Sequence, residues 1–284
     1  INHYDFDHGD GRTTTFADLL YQIHEATPTL PRLRFVTSFP RDFTDQALMA
    51  MRDCERICRY LHVPAQHGND RILKLMNRGY TANEYIEFVD RARAFMPDIS
   101  LASDFIVGFP TETDEEFDQT MALLRRCRFK NSFIFKYSPR PGTTAIKRFE
   151  DDVPEPVKKK RNNALLAVQG EVAIEVNAEL VGQKLEVMVE GESKLVSKQS
   201  SYPASQVQLG AGFNRRSART DELADEPADE PVESITQLVG RSRGDQIVVF
   251  DGPISLKGEL LTIEITSAKQ LTLFGRRPNQ FAPV

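Results

Sequence analysis

Strand and helix patterns alternate along the chain from about residue 15 to residue 150. Apolar segments occupy 33–37, 59–64, 99–108 and 130–138, each followed by a Pro or Gly signal and most by a helical pattern. This alternation is typical of parallel strands joined by crossover helices. Two helix starts have the spacing of a capping box, Thr81 with Glu84 and Thr113 with Glu116. The sequence therefore predicts an α/β region over 1–150.

The pattern changes near Pro154. Residues 151–180 predict one long connector helix, and from Val181 the apolar period falls to two, as in Leu185, Val187 and Val189. Several short strands of this kind predict a small all-β barrel of the oligonucleotide-binding (OB-like) type over 181–278. A polar segment at about 198–235, containing the near-repeat ADEPADEP, is predicted to be a disordered acidic insertion between two of its strands.

Charge and hydropathy exclude several classes of protein. The net charge of −5 over 284 residues argues against a wholly basic nucleic-acid coat protein, although a local basic patch remains compatible with it. The sequence has no apolar run of about 18 residues and no signal-peptide pattern at its start, so a cytoplasmic protein with no membrane partner is expected. Three cysteines and no sign of export argue against a disulfide framework.

Polar residues recur on one face of the predicted strands. In the stretch SDFIVGFPTET, Asp104, Ile106 and Gly108 share a face, and the same parity places His62 with Gln66 and aligns Lys136 with Ser132 and Ile134. Inward-facing polar side chains need partners, because the interior of a parallel barrel is normally packed with aliphatic residues. Two interpretations follow: a bound polar ligand, or an internal network that includes an Asp104–Lys136 ion pair.

The ends of the predicted strands favour a ligand site. Polar segments rich in Gly and Pro follow the strands at 37–38, 66–70, 108–113 and 137–143. Ligands of parallel α/β folds bind at the carboxyl ends of strands, where these four segments would meet. Arg140 is suited to clamp a carboxylate or a phosphate there, with a surface salt bridge as the equal alternative.

Three of these motifs carry a family resemblance. LHVPAQHGNDRILKLMNRGYT, SDFIVGFPTETDEEF and YSPRPGT, in this order and spacing, resemble the radical S-adenosylmethionine (SAM) methylthiotransferase family, as do LVGRSRGDQIVVFDG and QLTLFGR near the C-terminus. The resemblance covers nearly the whole chain except the acidic insertion. It implies part of an open (β/α) radical-SAM barrel followed by an RNA-binding β-barrel called TRAM.

The resemblance also implies a cofactor site and a substrate class. Gln66 and His67 would lie near the ribose and methionine portion of SAM. Asp104, Gly108 and Phe109 would line the approach to its adenine. The remaining two residues of this predicted site, Ser138 and Arg140, belong to the YSPRPGT motif at the same strand ends. The branch of the family that modifies a ribosomal-protein aspartate typically has an acidic pair where this chain has Arg140 and Pro141. The resemblance therefore favours methylthiolation of isopentenyladenosine next to the tRNA anticodon, with the ribosomal-protein branch as the alternative.

The cysteines do not match the chemistry that the resemblance implies. The family uses two [4Fe–4S] clusters, each held by three cysteine thiolates. Cys54 and Cys58 have the first spacing of a cluster motif, but Leu61 occupies the third position and the pair precedes a middle strand. We therefore expect structural cysteines, cluster ligands upstream of residue 1, and a fragment that is inactive alone. A cluster-free RNA-binding scaffold is the remaining alternative, and the sequence does not indicate a sulfur source or an electron donor.

The C-terminal half offers an RNA-binding surface. Cations that neutralise phosphates and an aromatic ring that stacks on a base are the expected elements of such a surface. The candidates are Arg241, Arg243, Phe274, Arg276 and Arg277. An ordinary solvated barrel surface is the alternative. The basic run at 158–161 is expected to be a solvated helix face that adds at most a phosphate contact.

Overall fold

The computed structural model describes residues 4–36, 39–193 and 234–278. The helices are α1 (Phe16–Ala26), α2 (Asp45–Asp53), α3 (Asp70–Leu75), α4 (Ala82–Phe95), α5 (Asp114–Cys127), α6 (Thr144–Arg148) and α7 (Glu155–Ala178). The strands are β1 (Asp5–Asp7), β2 (Thr13–Thr15), β3 (Tyr60–His62), β4 (Ser100–Val107), β5 (Asn131–Lys136), β6 (Lys184–Glu192), β7 (Ile235–Ser242), β8 (Ile247–Pro253), β9 (Leu260–Ala268) and β10 (Thr272–Arg276). A 3₁₀ turn covers Ile254–Leu256.

The first half contains a parallel sheet in the order β3-β4-β5. Helices α4 and α5 connect these strands, and both begin with the predicted capping boxes at Thr81 and Thr113. The predicted strand at 33–37 is wrong over its described residues: only Leu33 forms a bridge, to Ile57. The β1-β2 hairpin was not predicted, because three-residue strands leave almost no periodic signal.

The second half contains a closed barrel in the order β10-β8-β7-β6-β9. The small barrel predicted from the period of two is thus present, although one of its pairs, β10 with β8, is parallel. Its interior is aliphatic and aromatic, with Val187, Val189, Leu238, Val248, Phe250, Ile263, Ile265 and Leu273 buried. Leu271 precedes the first residue of β10, Thr272, and is 56% exposed, whereas Leu273 within the strand is buried. The predicted acidic insertion lies almost entirely outside the described residues.

A partly buried charge cluster joins the barrel to the first half. Asp245, in the turn between β7 and β8, contacts three cations: Lys130 at 2.7 Å, Arg241 at 3.1 Å, and Arg34. Gln246 Nε2 donates to Ser100 Oγ at 2.8 Å. Since Ser100 opens β4 and Lys130 precedes β5, the barrel is docked at the amino ends of the parallel strands. Their carboxyl ends remain at the opposite edge of the sheet.

None of the helices in the described ranges is both long and apolar enough to cross a membrane.

Candidate cofactor face and cationic cleft

One face of the β3-β4-β5 sheet is only partly covered and carries a polar pair. His62 Nε2 lies 2.9 Å from Asp104 Oδ1, and the His62 ring stacks on Phe133 with centroids 5.8 Å apart. Phe133 and Phe135, which pair in register with Asp104 and Ile106, are 50% and 53% exposed. This open face, defined by these five residues, combines a carboxylate with two accessible aromatic rings. Such a surface is suited to a ligand with a flat base and hydroxyl groups.

The prediction that Lys136 joins this face is wrong. Lys136 pairs in register with Val107, a core residue, and its ammonium group binds Glu155 at the start of α7. The Asp104–Lys136 ion pair is excluded for the same reason, and Asp104 binds His62 instead. The strand prediction was correct, but the parity across the sheet depends on the register of β5 against β4, which the sequence alone does not fix.

Gln66 extends the pairing of β3 beyond its last residue. Its N–H donates to the Asp104 carbonyl at 2.8 Å, and its own carbonyl accepts from Ile106 N at 2.9 Å. The residue has φ 68°, in the left-handed region that non-glycine residues rarely adopt. Its side-chain amide has no hydrogen-bond partner among the residues that the structure describes. The structure therefore brings the backbone of Gln66 next to that of Asp104, while Gln66 itself is only 7% exposed.

His67 lies in the interior instead. Its side chain is fully buried, its Nδ1 accepts from Asn69 N at 3.1 Å, and its Nε2 therefore donates to Glu112 Oε1 at 2.8 Å. Glu112 Oε2 accepts from Gly108 N and, at 2.9 Å, from Arg161 Nη1 of α7. This buried triad of His67, Glu112 and Arg161 joins the Gln66 loop, the Gly108 turn and the connector helix. His67 consequently supports the loops and does not reach the open face.

The basic run at 158–161 is not a fully solvated face. Lys159 and Lys160 are exposed, whereas Lys158 and Arg161 are 3% and 6% exposed. Lys158 Nζ contacts both carboxylate oxygens of Asp151, at 2.5 and 2.6 Å. A run of like charges does not reveal which members have buried partners. The only sequence signal for Glu112 is its place two residues after Gly-Phe-Pro.

Gly108 and Phe109 form the turn after β4. Gly108 has φ +71°, and a Cβ there would lie 2.4 Å from Lys158 Cγ. Phe109 is buried and makes edge contacts with Tyr137 and Phe149, with centroids 5.0 and 5.8 Å apart. Both residues lie at the carboxyl end of the sheet, where a ligand site was predicted.

The Gly108 turn provides a stability test with a matched control. Gly108→Ala is expected to lower the free energy of unfolding by about 2–4 kcal/mol, because left-handed strain adds to the collision with a buried lysine. Gly142→Ala, at φ +86° with no atom within 4 Å of its Cβ, has only the backbone strain and should cost about 1 kcal/mol. Urea unfolding of both variants measures the difference. Equal losses would contradict the packing of Lys158 against this turn.

A cleft of about 650 Å³ opens at the same edge. Ser138 and Arg140 line it, together with Ile106, Phe109 and Phe135. The remaining walls come from the loop after α3 and from α6. The cleft is therefore contiguous with the open face through Ile106 and Phe135.

The three cysteines are buried and lie apart from this edge. Burial raises the pKa of Cys127 to about 12 and also raises the pKa of Cys54. A cluster ligand must be a thiolate, which a raised thiol pKa disfavours. Within residues 4–36, 39–193 and 234–278, no three His, Cys, Asp or Glu side chains form a group that could hold a metal ion. The residues present do not fit an iron–sulfur cluster.

The candidate RNA-binding residues fall into two groups. Arg241 contacts Asp245 and Glu190, and Arg243 donates to the Ile57 carbonyl at 3.1 Å, so both belong to the junction between barrel and sheet. The second group lies at β10. Lys269 Nζ lies 5.4 Å from the ring centroid of Phe274. Arg276 is exposed, and its Nε lies 3.3 Å from Glu264. Arg277 is the next residue in the chain.

Comparison with known proteins identifies relatives along nearly the whole chain. Residues 9–124 match the family model described as the radical SAM superfamily. A tRNA-2-methylthio-N(6)-dimethylallyladenosine synthase from Rhodopirellula baltica is 42% identical over 97% of this chain and 51% of its own length. The synthase of the same name from Acetivibrio thermocellus is 39% identical over 97% of this chain and 48% of its own length. The chain thus spans about half the length of the curated relatives it matches.

Among solved structures, coproporphyrinogen III oxidase from Escherichia coli, titled as a radical SAM enzyme, aligns over 54% of this chain and 37% of its own. The TM-score is 0.43 at 21% sequence identity.

Proposed function

We propose that this chain, whose residues 9–124 match the radical SAM superfamily model, is part of an enzyme that methylthiolates N(6)-isopentenyladenosine next to the anticodon of tRNA. The observation that carries the proposal is the alignment of 97% of the chain with synthases named for this product. The half-open sheet face at the carboxyl strand ends supports it. We place the enzyme in the cytoplasm, where its substrate is found.

In this proposal the open face holds SAM. The free carboxylate oxygen of Asp104 and the amide of Gln66 would bind polar groups of the nucleoside, and Phe135 would contact the adenine. Gly108 would keep the turn after β4 in its left-handed conformation, while Phe109 closes the site toward the cleft. His67 acts through Glu112 as a positioning residue. SAM, once bound, would supply the radical chemistry.

Iron–sulfur chemistry is assigned to other parts of the enzyme. Since Cys54, Cys58 and Cys127 do not fit a cluster, we propose that the ligands of its two [4Fe–4S] clusters lie outside these 284 residues. We further propose that the domains follow the predicted limits. These are 1–150 for part of the radical-SAM barrel, 151–180 for the connector and 181–278 for a TRAM barrel that binds the anticodon stem-loop.

Within the barrel, we propose that Phe274, Arg276 and Arg277 contact RNA. Arg241 and Arg243 are assigned to the junction, because each already has partners in the protein.

Mass spectrometry of tRNA nucleosides tests the function. Disruption of the coding sequence in the source organism is expected to abolish the methylthio derivative and to leave isopentenyladenosine in its place. Retention of the derivative would overturn the proposal. Loss of a methylthio group from a ribosomal protein in the same strain, with tRNA unchanged, would assign the chain to the ribosomal-protein branch.

A further inference from the structure

The cleft at the carboxyl edge of the sheet is lined by cations. Five of its lining residues are basic, and no carboxylate lines it. The basic residues are Lys74, Arg78, Lys136, Arg140 and Arg148. Concentration of one sign of charge in a concave site raises the local concentration of the opposite charge. The cleft is therefore suited to an anionic ligand.

Four of these cations have no carboxylate partner among the described residues; Lys136, bound to Glu155, is the exception. Elsewhere on the surface arginines are regularly paired, as in Arg71 with Glu116, Arg125 with Glu171 and Arg126 with Asp90. The Nε of Arg78 is enclosed and has no hydrogen-bond partner within the described part of the chain. Unpaired guanidinium groups facing one cleft present planar donors that match phosphate oxygens.

The size and position of the cleft favour a polymer over a single ion. A volume of about 650 Å³ exceeds what one phosphate fills. The barrel is docked at the amino ends of the strands, and β4 spans eight residues, or roughly 25 Å at about 3.3 Å per residue. An RNA held only by the barrel would lack contacts at the carboxyl edge.

We propose that this cleft binds the sugar-phosphate backbone of the RNA substrate through Arg78, Arg140 and Arg148. The inference rests on the proposed function, because it takes the substrate to be an RNA. It reassigns Arg140 from the SAM carboxylate to an RNA phosphate. The contact positions the RNA without reading its sequence, as phosphate contacts do.

The test compares two triple variants of the full chain with equal change in net charge. Arg78→Gln/Arg140→Gln/Arg148→Gln removes the cleft cations, and Arg125→Gln/Arg126→Gln/Arg128→Gln removes surface arginines that have carboxylate partners. Binding of a fluorescent RNA hairpin with an anticodon stem-loop sequence is measured by anisotropy over a range of NaCl concentrations. The cleft variant should bind about tenfold or more weaker. The slope of log affinity against log NaCl concentration should fall in magnitude by about 2, because each of the three lost phosphate contacts contributes about 0.7. The control should remain within about twofold of the wild type.

Several results would overturn the proposal. Equal affinities and slopes for the two triple variants would show that the cleft is not an RNA site. Loss of SAM binding, with RNA binding retained, would assign the cations to the cofactor. AMP binding as tightly as the hairpin would identify a mononucleotide site. Nucleoside analysis of the disrupted strain tests the enzyme's function separately, so failure of the cleft and failure of the proposed function are distinguishable.

Discussion

Replacing Glu112 with alanine is expected to lower the free energy of unfolding by about 3–5 kcal/mol. The carboxylate is fully buried and has three partners, His67, Gly108 N and Arg161. Its removal leaves the buried guanidinium of Arg161 with Asp114, at 2.7 Å, as its one carboxylate among the described residues. It also takes away the acceptor of the buried imidazole N–H of His67. Urea unfolding followed by circular dichroism measures the loss.

Glu115→Ala is the control for this prediction, because Glu115 lies exposed in the first turn of α5, three residues away. Its removal should change the free energy of unfolding by no more than about 0.5 kcal/mol. If both variants lose the same small amount, the buried triad does not hold the Gly108 turn against α7.

Replacing Asp245 with asparagine is expected to cost about 3 kcal/mol and to loosen the barrel from the sheet. Arg34 and Lys130 would then lose the carboxylate that they share, and Arg241 would keep only Glu190 among the described carboxylates. Asp251→Asn, an exposed carboxylate of β8, is the matched control. Thermal unfolding measures the stability of both variants. The rate of proteolysis between residues 178 and 184 measures how far the barrel has loosened from the sheet. An Asp245 variant that behaves like the wild type in both assays would contradict the assigned role of the cluster.

The same cluster gives the junction a pH dependence. Burial alone would raise the pKa of Asp245, but Lys130, Arg34 and Arg241 outweigh it, and the pKa lies below its usual value of 3.8. The stabilisation is therefore present above the unfolded-state pKa and is lost as pH falls through the lower folded-state value. Burial also lowers the pKa of Lys130 from its usual value of 10.5 to about 8. Between these two pH values the lysine is deprotonated in the folded chain and protonated in the unfolded chain, so the free energy of unfolding rises with pH in this range.

Local signals in the sequence were sufficient for several elements. The capping boxes at Thr81 and Thr113 were correct because each depends on residues three positions apart. The barrel strands were found because one buried face imposes a period of two. Conversely, the strand at 33–37 failed because an apolar segment of this length can also pack as an irregular chain, as its single bridge shows.

Long-range pairing accounts for most of what the sequence did not reveal. Asp245 is 211 residues from Arg34 and 115 from Lys130, so no spacing rule joins them. The face occupied by Lys136 depended on strand register, and the burial of His67 depended on Glu112, 45 residues later. The backbone of Gln66 pairs with β4 beside Asp104, because the two segments run in parallel there, whereas a shared ligand site for the two side chains stays a prediction.

The proposed function requires the open face to hold SAM. Its most direct test is the ratio of methylthiolated to unmodified isopentenyladenosine in tRNA from a strain whose intact gene carries Asp104→Ala, with the protein level checked by immunoblot. We expect isopentenyladenosine to accumulate and its methylthio derivative to disappear, while the protein level stays normal. A wild-type ratio in that strain would contradict the assignment of this face.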